Sequence, residues 1–317
     1  MTVKSDNSIK SIHVHYNQFN YALNKLESCY EGIVNGDDSR GVAILGRSGT
    51  GKTHLLNYFH SKYPSSRGND GTKMPIVYIK TPSSPTVKGL VEALLHAIGD
   101  PLFNKGTLTE KSTRLVNLLK RADAKVVILD EFQHFVDKGG RKVQYAVADE
   151  LKVIVENSGV GLIVSGLPYC QSVIMSNEQF TRRFSSPVTL PQFDWSVSDD
   201  RANFKGILKA MQSSLESISM PDLTSDEMAF RFYCASGGLI GRVANIFIQL
   251  VKDMANKHGT KDATLDDLNA AAKEACFDMP LGIDNPFSRQ FDVKPTKEVT
   301  HRVMEIGDER GVVGLER

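Results

Sequence analysis

Short apolar runs alternate with helical patterns along the first two thirds of the chain. The apolar runs lie at residues 42–45, 76–79, 126–129, 162–164 and 188–190. Between them, apolar residues recur at helical spacing near 52–62, 86–98, 109–121 and 144–157. Strands that alternate with helices indicate βαβ units, so the pattern predicts an α/β fold with a five-stranded parallel sheet covered on both faces.

The rest of the chain lacks this alternation. Phe19, Leu23, Leu26 and Tyr30 recur at helical spacing and predict an amphipathic helix over 17–33. Residues 63–74 are polar and predict a loop. After residue 190, helical periodicity without strand signals extends over 198–277, and one more helix is predicted over 296–306.

These patterns predict four parts of the chain. They are an N-terminal extension with its amphipathic helix (1–35), an α/β core (36–192), a small helical lid (193–277) and a C-terminal tail (278–317). For the tail, partner docking and subunit packing are both open.

The composition limits the classes of protein that are possible, but it does not identify a binding partner. The 317 residues include 38 Lys and Arg against 37 Asp and Glu, so any DNA-binding surface must be a local patch. The four cysteines are far apart in sequence, which is typical of reduced thiols rather than of a zinc site. No apolar run approaches the ~20 residues that span a bilayer, and the N-terminus lacks a signal-peptide core. We expect a cytoplasmic protein with no membrane partner.

Residues 46–53 fit the phosphate-loop pattern G-x-x-x-x-G-K-[ST] at every fixed position. The loop follows a predicted strand and precedes a predicted helix, so strand, glycine loop and helix N-terminus form a cradle for phosphate groups. Lys52 is expected to pair with the β- and γ-phosphates, and the Thr53 hydroxyl to ligate Mg²⁺. The residues assigned to nucleotide binding here are Gly46, Ser48, Gly49, Thr50, Gly51, Lys52, Thr53 and His54.

The apolar run at 126–129 ends in two carboxylates, Asp130 and Glu131. Phosphoryl transfer depends on positioning and electrostatics, which two carboxylates at a strand end can share. Asp130 is expected to hold the Mg²⁺ shell through water, and Glu131 to polarise the attacking water. Alone, this pattern is typical of many strand ends; together with the phosphate loop it indicates nucleotide hydrolysis.

Four further polar residues are candidates for the same chemistry. Ser165 ends the run at 162–164 and is a candidate for orienting water; the alternative is a serine that opens a loop. Arg182 and Arg183 precede Phe184, where an arginine can reach the γ-phosphate of a neighbouring subunit; we favour Arg183, and the alternative is a solvated helix end. Arg242 opens a helix of the predicted lid and is expected to reach the nucleotide, unless it forms an ordinary surface salt bridge.

Together these elements resemble an AAA+ ATPase, and within that superfamily the chain is similar to the TnsC/TniB transposition ATPases. The resemblance covers roughly residues 13–275 and depends on the spacing of several segments. They are 13–16, 76–82, 88–90, 94–95, 130–134, 178–184 and 239–242.

The resemblance implies a bacterial protein that binds ATP with Mg²⁺ and assembles as rings or helical filaments around double-stranded DNA. It implies a link between a TniQ-type target selector, sometimes with an RNA-guided CRISPR complex, and a transposase that stimulates hydrolysis. It also implies DNA contacts at positions that match Lys88, Lys105 and Thr107. These contacts would be made to the DNA backbone and would have no sequence preference. For each of these residues the alternative is a solvated surface position.

Two other functions remain open from the sequence. An IstB-like or helicase-loader ATPase would engage a replicative helicase and prefer single-stranded DNA. A signalling ATPase would use the same core without DNA.

Overall fold

The computed structural model describes residue 9 and residues 12–37, 41–69, 71–83, 85–138, 140–215, 218–257, 262–276 and 285–305. The chain divides into two compact units. The sheet unit contains residues 17–47 and 52–190. The helical unit contains residues 48–51 and the described residues before 17 and after 190.

The sheet unit alternates strands and helices, as the apolar pattern predicts. Its elements in chain order are α1 (Asn17–Val34), β1 (Gly41–Leu45), α2 (Lys52–Ser61), β2 (Ser66–Gly68), β3 (Gly71–Lys73), β4 (Ile76–Lys80), α3 (Val87–Ala97), α4 (Leu108–Arg121), β5 (Val126–Asp130), α5 (His134–Asp137), α6 (Arg141–Ser158), β6 (Gly161–Gly166), α7 (Gln171–Met175), α8 (Glu178–Thr181) and β7 (Val188–Thr189).

Five strands form one parallel sheet in the order β4-β5-β6-β1-β7. The predicted α/β fold with a five-stranded parallel sheet is therefore confirmed. Strands β1, β5 and β6 are buried along their whole length. Continuous apolar runs are typical of strands buried on both faces, because alternation appears only where one face meets water. One face packs against α3, α4 and α6, whose aliphatic side chains share the main core with the strands.

The prediction of a loop over 63–74 is wrong in part. Strands β2 and β3 form an antiparallel hairpin there, with Ser66 paired to Lys73 and Gly68 to Gly71. Every residue of both strands is exposed. An exposed hairpin buries no apolar face, so hydrophobic periodicity carries no signal for it.

The helical unit consists of α-helices, as predicted for 198–277. They are α9 (Ser198–Ser214), α10 (Asp226–Ser236), α11 (Ile240–Asn256), α12 (Leu265–Ala275) and α13 (Lys297–Met304). Aromatic rings fill much of its interior: Trp195 and Phe204 both pack against Tyr233. Within the described residues, no single helix is long and apolar enough to cross a membrane, although α10 and α11 meet the test as a pair bent by 102°.

Part of the predicted tail packs on the helical unit. Arg231 on α10 is buried, and its guanidinium donates hydrogen bonds to the carbonyl oxygens of Pro286 (2.8 Å) and Ser288 (2.6 Å). Phe287 is fully buried and meets the ring of Phe232 edge-on, with ring centroids 5.0 Å apart. Residues 278–284 and 306–317 of the tail, and most of residues 1–11, lie outside the described residues.

Candidate nucleotide site

The glycine loop leaves β1 and runs directly into α2. Gly49 and Gly51 have φ angles of 83° and 95°, a region that L-residues rarely adopt. The loop begins beside the end of β6, because the Gly46 N–H donates to the carbonyl oxygen of Gly166 (3.2 Å). Helix α2 begins at Lys52, immediately after the second of these glycines, so its first N–H groups lack partners within the helix. The sequence motif therefore folds into the cradle it predicts.

Lys52 turns back over the loop that precedes it. Its Nζ donates to the carbonyl oxygens of Gly46 (2.7 Å) and Arg47 (2.8 Å). Burial lowers the pKa of Lys52, and the carboxylates of Glu131 and Asp130 act in the opposite direction. A phosphate group would add negative charge and favour the ammonium form further.

Asp130 is the centre of a hydrogen-bond network at the end of β5. It is 1% exposed. Its Oδ2 accepts from the hydroxyls of Thr53 (2.7 Å) and Tyr78 (3.0 Å), and its Oδ1 accepts from the Glu131 N–H (2.9 Å). Burial, followed by the charge of Asp130, raises the pKa of Tyr78, so the phenol is held as a donor. The structure thus brings Thr53 and Asp130 together, as predicted, and adds Tyr78, to which the sequence pattern assigned no role.

Glu131 follows Asp130 in a strained backbone conformation. Its φ of 57° lies in the left-handed region, which is uncommon for a residue with a side chain. One of its carboxylate oxygens, Oε2, accepts a hydrogen bond from the side-chain amide of Gln133. Strained residues held by their surroundings concentrate at functional sites.

Ser165 and Thr81 contribute buried hydroxyls beside these carboxylates. Ser165 lies in β6, is 0% exposed, and its carbonyl oxygen accepts from the N–H of Phe132 (2.8 Å) in the turn after β5. Thr81 follows β4 and its N–H donates to the carbonyl oxygen of Asp130 (2.8 Å). Neither hydroxyl oxygen finds a hydrogen-bond partner within the described part of the chain. Buried polar groups without partners are rare, so these two hydroxyls suit a polar ligand or ordered water.

In the helical unit, the tip of the glycine loop packs against the start of α11. The N–H of Gly241 donates to the carbonyl oxygen of Gly49 (2.8 Å). A Cβ at Gly241 would lie 2.9 Å from the Gly49 Cα, so only glycine permits this approach. Arg242 is the next residue of the helix, in its first turn. Gly241 thus allows the backbone of α11 to lie directly against the backbone of Gly49.

The two arginines before Phe184 are held by surface ion pairs. Arg183 donates to Glu156 on α6 (2.7 Å), and the two side chains are 31% and 38% exposed. Arg182 pairs with Glu178 one helical turn earlier, with both side chains largely exposed. Both arginines follow α8 and precede β7, as the sequence predicts. A role in a neighbouring subunit remains a prediction.

The three candidate DNA contacts lie around α3 and the connection that follows it. Lys88 is exposed near the start of α3, and the helix continues for about 14 Å beyond it at 1.5 Å per residue. Lys105 is exposed in the connection that follows the helix. Arg114 fixes the connection by donating to the carbonyl oxygens of Leu102 (2.8 Å) and Lys105 (3.1 Å). The backbone beside Lys105 is therefore ordered by side-chain hydrogen bonds rather than free to adapt.

Thr107 has a structural role that the sequence analysis missed. It is the N-cap of α4: its hydroxyl accepts from the Glu110 N–H (3.3 Å) and lies 3.1 Å from the Glu110 carboxylate. Hydrogen bonds from the backbone and hydroxyl of Thr107 lower the pKa of Glu110. The signal was present as Thr-x-x-Glu before a helical pattern, the capping-box signature. A phosphate contact at Thr107 would have to lie beside this carboxylate.

The residues present fit a nucleotide and a divalent cation. The positive-φ glycines, the helix start and Lys52 suit phosphate oxygens. The Thr53 hydroxyl and the Asp130 carboxylate provide hard oxygen atoms 2.7 Å apart, the kind of ligand that Mg²⁺ prefers. Binding of ATP and Mg²⁺ by these residues remains a prediction.

Comparisons with known proteins agree with this fold. The family model described as "Bacterial TniB protein" matches residues 7–195, more than half of the chain. The ORC1-type DNA replication protein 2 of Saccharolobus solfataricus is 26% identical over 151 residues, which are 45% of this chain and 37% of that protein. The chain thus spans little more than a third of the length of this curated relative.

Two solved structures share the fold. Cdc6p from Pyrobaculum aerophilum superposes with a TM-score of 0.65 and 16% identity, covering 88% of this chain and 73% of that one. The ORC1 protein of Aeropyrum pernix in complex with DNA gives 0.63 and 14%, covering 86% and 69%. The chain therefore belongs to the bacterial TniB family, and its fold is that of a P-loop ATPase of the AAA+ class.

Proposed function

We propose that this chain is an ATP-dependent, DNA-binding regulator of transposition. In this proposal it oligomerises on double-stranded DNA and links target selection to recruitment of the transposase. The observation that supports it most directly is that Thr53, Asp130 and Glu131 lie together at one edge of the sheet in a chain of the TniB family. The replication proteins with the same fold include one solved in complex with DNA.

In the proposed reaction, the glycine loop and Lys52 hold the phosphates of ATP. Thr53 and Asp130 hold Mg²⁺, which when bound neutralises charge on the phosphate oxygens. Tyr78 keeps the Asp130 carboxylate oriented through the 3.0 Å hydrogen bond. Glu131 accepts a proton from the attacking water, and the buried Ser165 hydroxyl helps to orient that water.

Assembly completes the proposed site. Arg183 reaches the γ-phosphate bound by a neighbouring subunit, and Arg242 on α11 senses the nucleotide bound by its own subunit. A finger supplied in this way stabilises the charge that develops in the transition state. The ring or filament is therefore the active form, which makes hydrolysis depend on assembly.

The proposed DNA surface includes Lys88 and Lys105, with Thr107 at its margin. Contacts from exposed lysines to phosphates carry no sequence information, which suits a protein whose target is chosen elsewhere. The proposed partners are a TniQ-type target selector, with or without an RNA-guided CRISPR complex, and the transposase. The proposed location is the bacterial cytoplasm, where the DNA target is accessible.

Electron microscopy with duplex DNA tests this proposal. Wild-type protein with a non-hydrolysable ATP analogue should form rings or filaments threaded on the duplex. Glu131→Gln should form the same assemblies with ATP itself and retain them, because removing a general base typically slows turnover by ~10²–10⁴-fold. Lys52→Ala, which lacks the phosphate-binding ammonium, should form none. A wild-type protein that stays monomeric on duplex DNA would contradict the proposal.

The DNA surface has a separate test. Lys88→Ala combined with Lys105→Ala should weaken binding to all duplex sequences alike and reduce the salt slope by about 2, because each lost phosphate contact reduces it by ~1. Nucleotide affinity should not change. Lys62→Ala combined with Lys205→Ala is the matched control, since these lysines already pair with carboxylates. An unchanged salt slope in the first pair would remove this surface from the proposal.

A helicase-loader function is the second candidate, because the curated relative is a DNA replication protein. It predicts a preference for single-stranded DNA and binding to a replicative helicase. Competition between duplex and single strands of equal length separates the two functions. A preference for single strands favours the loader.

A further inference from the structure

Gln133 joins the ends of two strands through its side-chain amide. Its Nε2 donates to Oε2 of Glu131, and its Oε1 accepts from the N–H of Leu167 just after β6 (3.4 Å). The side chain is 8% exposed, so water competes little for these bonds. One buried amide thus connects the carboxylate after β5 to the backbone after β6.

The surroundings are shaped to admit this amide. Gly166 precedes Leu167, and a Cβ there would lie 2.8 Å from Gln133 Oε1 and 3.2 Å from the Gln133 N atom. The neighbouring Phe132 is tied to the same strand by its N–H bond to the Ser165 carbonyl (2.8 Å). The turn after β5 is therefore fixed against the end of β6 at two successive residues, Phe132 and Gln133.

Glu131 needs such support. Its φ of 57° turns the backbone sharply at the end of β5, and the side chain that leaves this turn carries the carboxylate. A glutamate side chain has three torsions and therefore several orientations of its carboxylate, whereas a general base must stay within hydrogen-bond reach of its proton. The amide of Gln133 selects one of these rotamers by taking one oxygen, Oε2.

We propose that Gln133 is a positioning residue for ATP hydrolysis. It fixes the Glu131 carboxylate through Oε2, leaving Oε1 to accept the proton of the attacking water. Its hydrogen bond from the Leu167 N–H also fixes the position of the amide relative to the end of β6, where Ser165 lies. This inference rests on the role proposed above for Glu131.

Gln133→Met tests the inference, because methionine has nearly the same shape and no amide. Turnover is measured in the presence of duplex DNA. The kcat should fall at least tenfold with KM for ATP within twofold of wild type, and binding of a non-hydrolysable analogue should not change. Gln249→Met, which removes an amide that bonds Asp253 (2.9 Å) and Glu274 (2.6 Å) in the helical unit, is the matched control and should keep wild-type kcat.

Three outcomes would overturn the inference. Wild-type or faster turnover in Gln133→Met would show that the amide is not needed or that it restrains Glu131. A matching loss of nucleotide affinity would assign Gln133 a structural role. Glu131→Gln is measured alongside: if it hydrolyses ATP at the wild-type rate, the proposed base fails and the inference fails with it. If Glu131→Gln is inactive while Gln133→Met is normal, only the inference fails.

Discussion

The end of β5 and the segment from Glu178 to Phe184 both carry charged residues assigned to one reaction, but they are built differently. Asp130 is buried and accepts three hydrogen bonds through its two carboxylate oxygens, from Thr53, Tyr78 and the Glu131 backbone. Arg182 and Arg183 each pair with one glutamate at the surface.

This difference separates groups that act within one chain from groups that are free to change partner. The bonds from Thr53 on α2 and Tyr78 on β4 join two other elements to the end of β5, so the carboxylate is positioned by the fold itself. Exposed ion pairs contribute only about 0–1 kcal/mol, because water solvates both partners well. Arg183 can therefore leave Glu156 for a phosphate at little cost, as a finger that serves a neighbouring subunit requires.

The largest effect that would test this comparison is on turnover. Arg183→Ala should lower ATP turnover about 10³-fold, the lower end of the effect of arginine fingers, while the free energy of unfolding changes by less than ~0.5 kcal/mol. Arg182→Ala is the matched control and should change turnover less than about threefold. Equal losses in both variants would remove the preference for Arg183.

Mixing experiments extend this test. Arg183→Ala and Glu131→Gln subunits should regain turnover when combined, because some interfaces then join an intact Glu131 to an intact Arg183. Each variant alone should remain slow. Failure of every mixture to regain activity would contradict action between subunits.

The next effect is on stability. Tyr78→Phe removes one hydroxyl from the buried Asp130 carboxylate, and hydrogen bonds to charged groups contribute ~1.5–3 kcal/mol. Urea denaturation should show a free energy of unfolding lower by about 1.5 kcal/mol. Tyr145→Phe removes a hydroxyl from a side chain in α6 that is 53% exposed, and it should leave the free energy of unfolding unchanged. Equal stability of Tyr78→Phe and wild type would show that the Asp130 network is no stronger than the surface pairs.

The smallest expected effect comes from removing the glutamate that pairs with Arg183. Glu156→Gln releases Arg183 from its ion pair and should raise turnover of the assembled protein about two- to threefold, consistent with a pair of under ~1 kcal/mol. Glu178→Gln, which releases Arg182, should have no effect on turnover. Slower turnover in Glu156→Gln would show that Glu156 positions the arginine rather than competing for it.

Much of the fold was predictable because its signals are local. Continuous apolar runs indicated the five strands, and the helices between them follow from spacing within single segments. The hairpin β2–β3 was missed because it buries no apolar side chains. Helices α5 and α7 were missed because four or five residues are too few to show helical periodicity.

The candidate site divides in the same way. The glycine loop, Lys52, Thr53, Asp130 and Glu131 could be assigned from the sequence, because each motif is contiguous and follows an apolar strand. Tyr78, Gln133 and Gly166 could not, since their roles depend on which strands lie side by side. Thr107 was assigned to DNA although a capping-box signature already favoured its role at the start of α4.

By itself, the sequence determined the strand–helix alternation, the phosphate loop and the two carboxylates, because backbone propensity and short motifs act within a few residues. Only the tertiary structure decided what holds those carboxylates. The parallel register that pairs Lys80 with Asp130 places β4 beside β5, so that Tyr78 reaches Asp130. The pairing of β5 with β6 brings Gln133 between Glu131 and Leu167. Hydrogen bonds between distant segments need the sheet to be assembled first, so no local pattern could specify them.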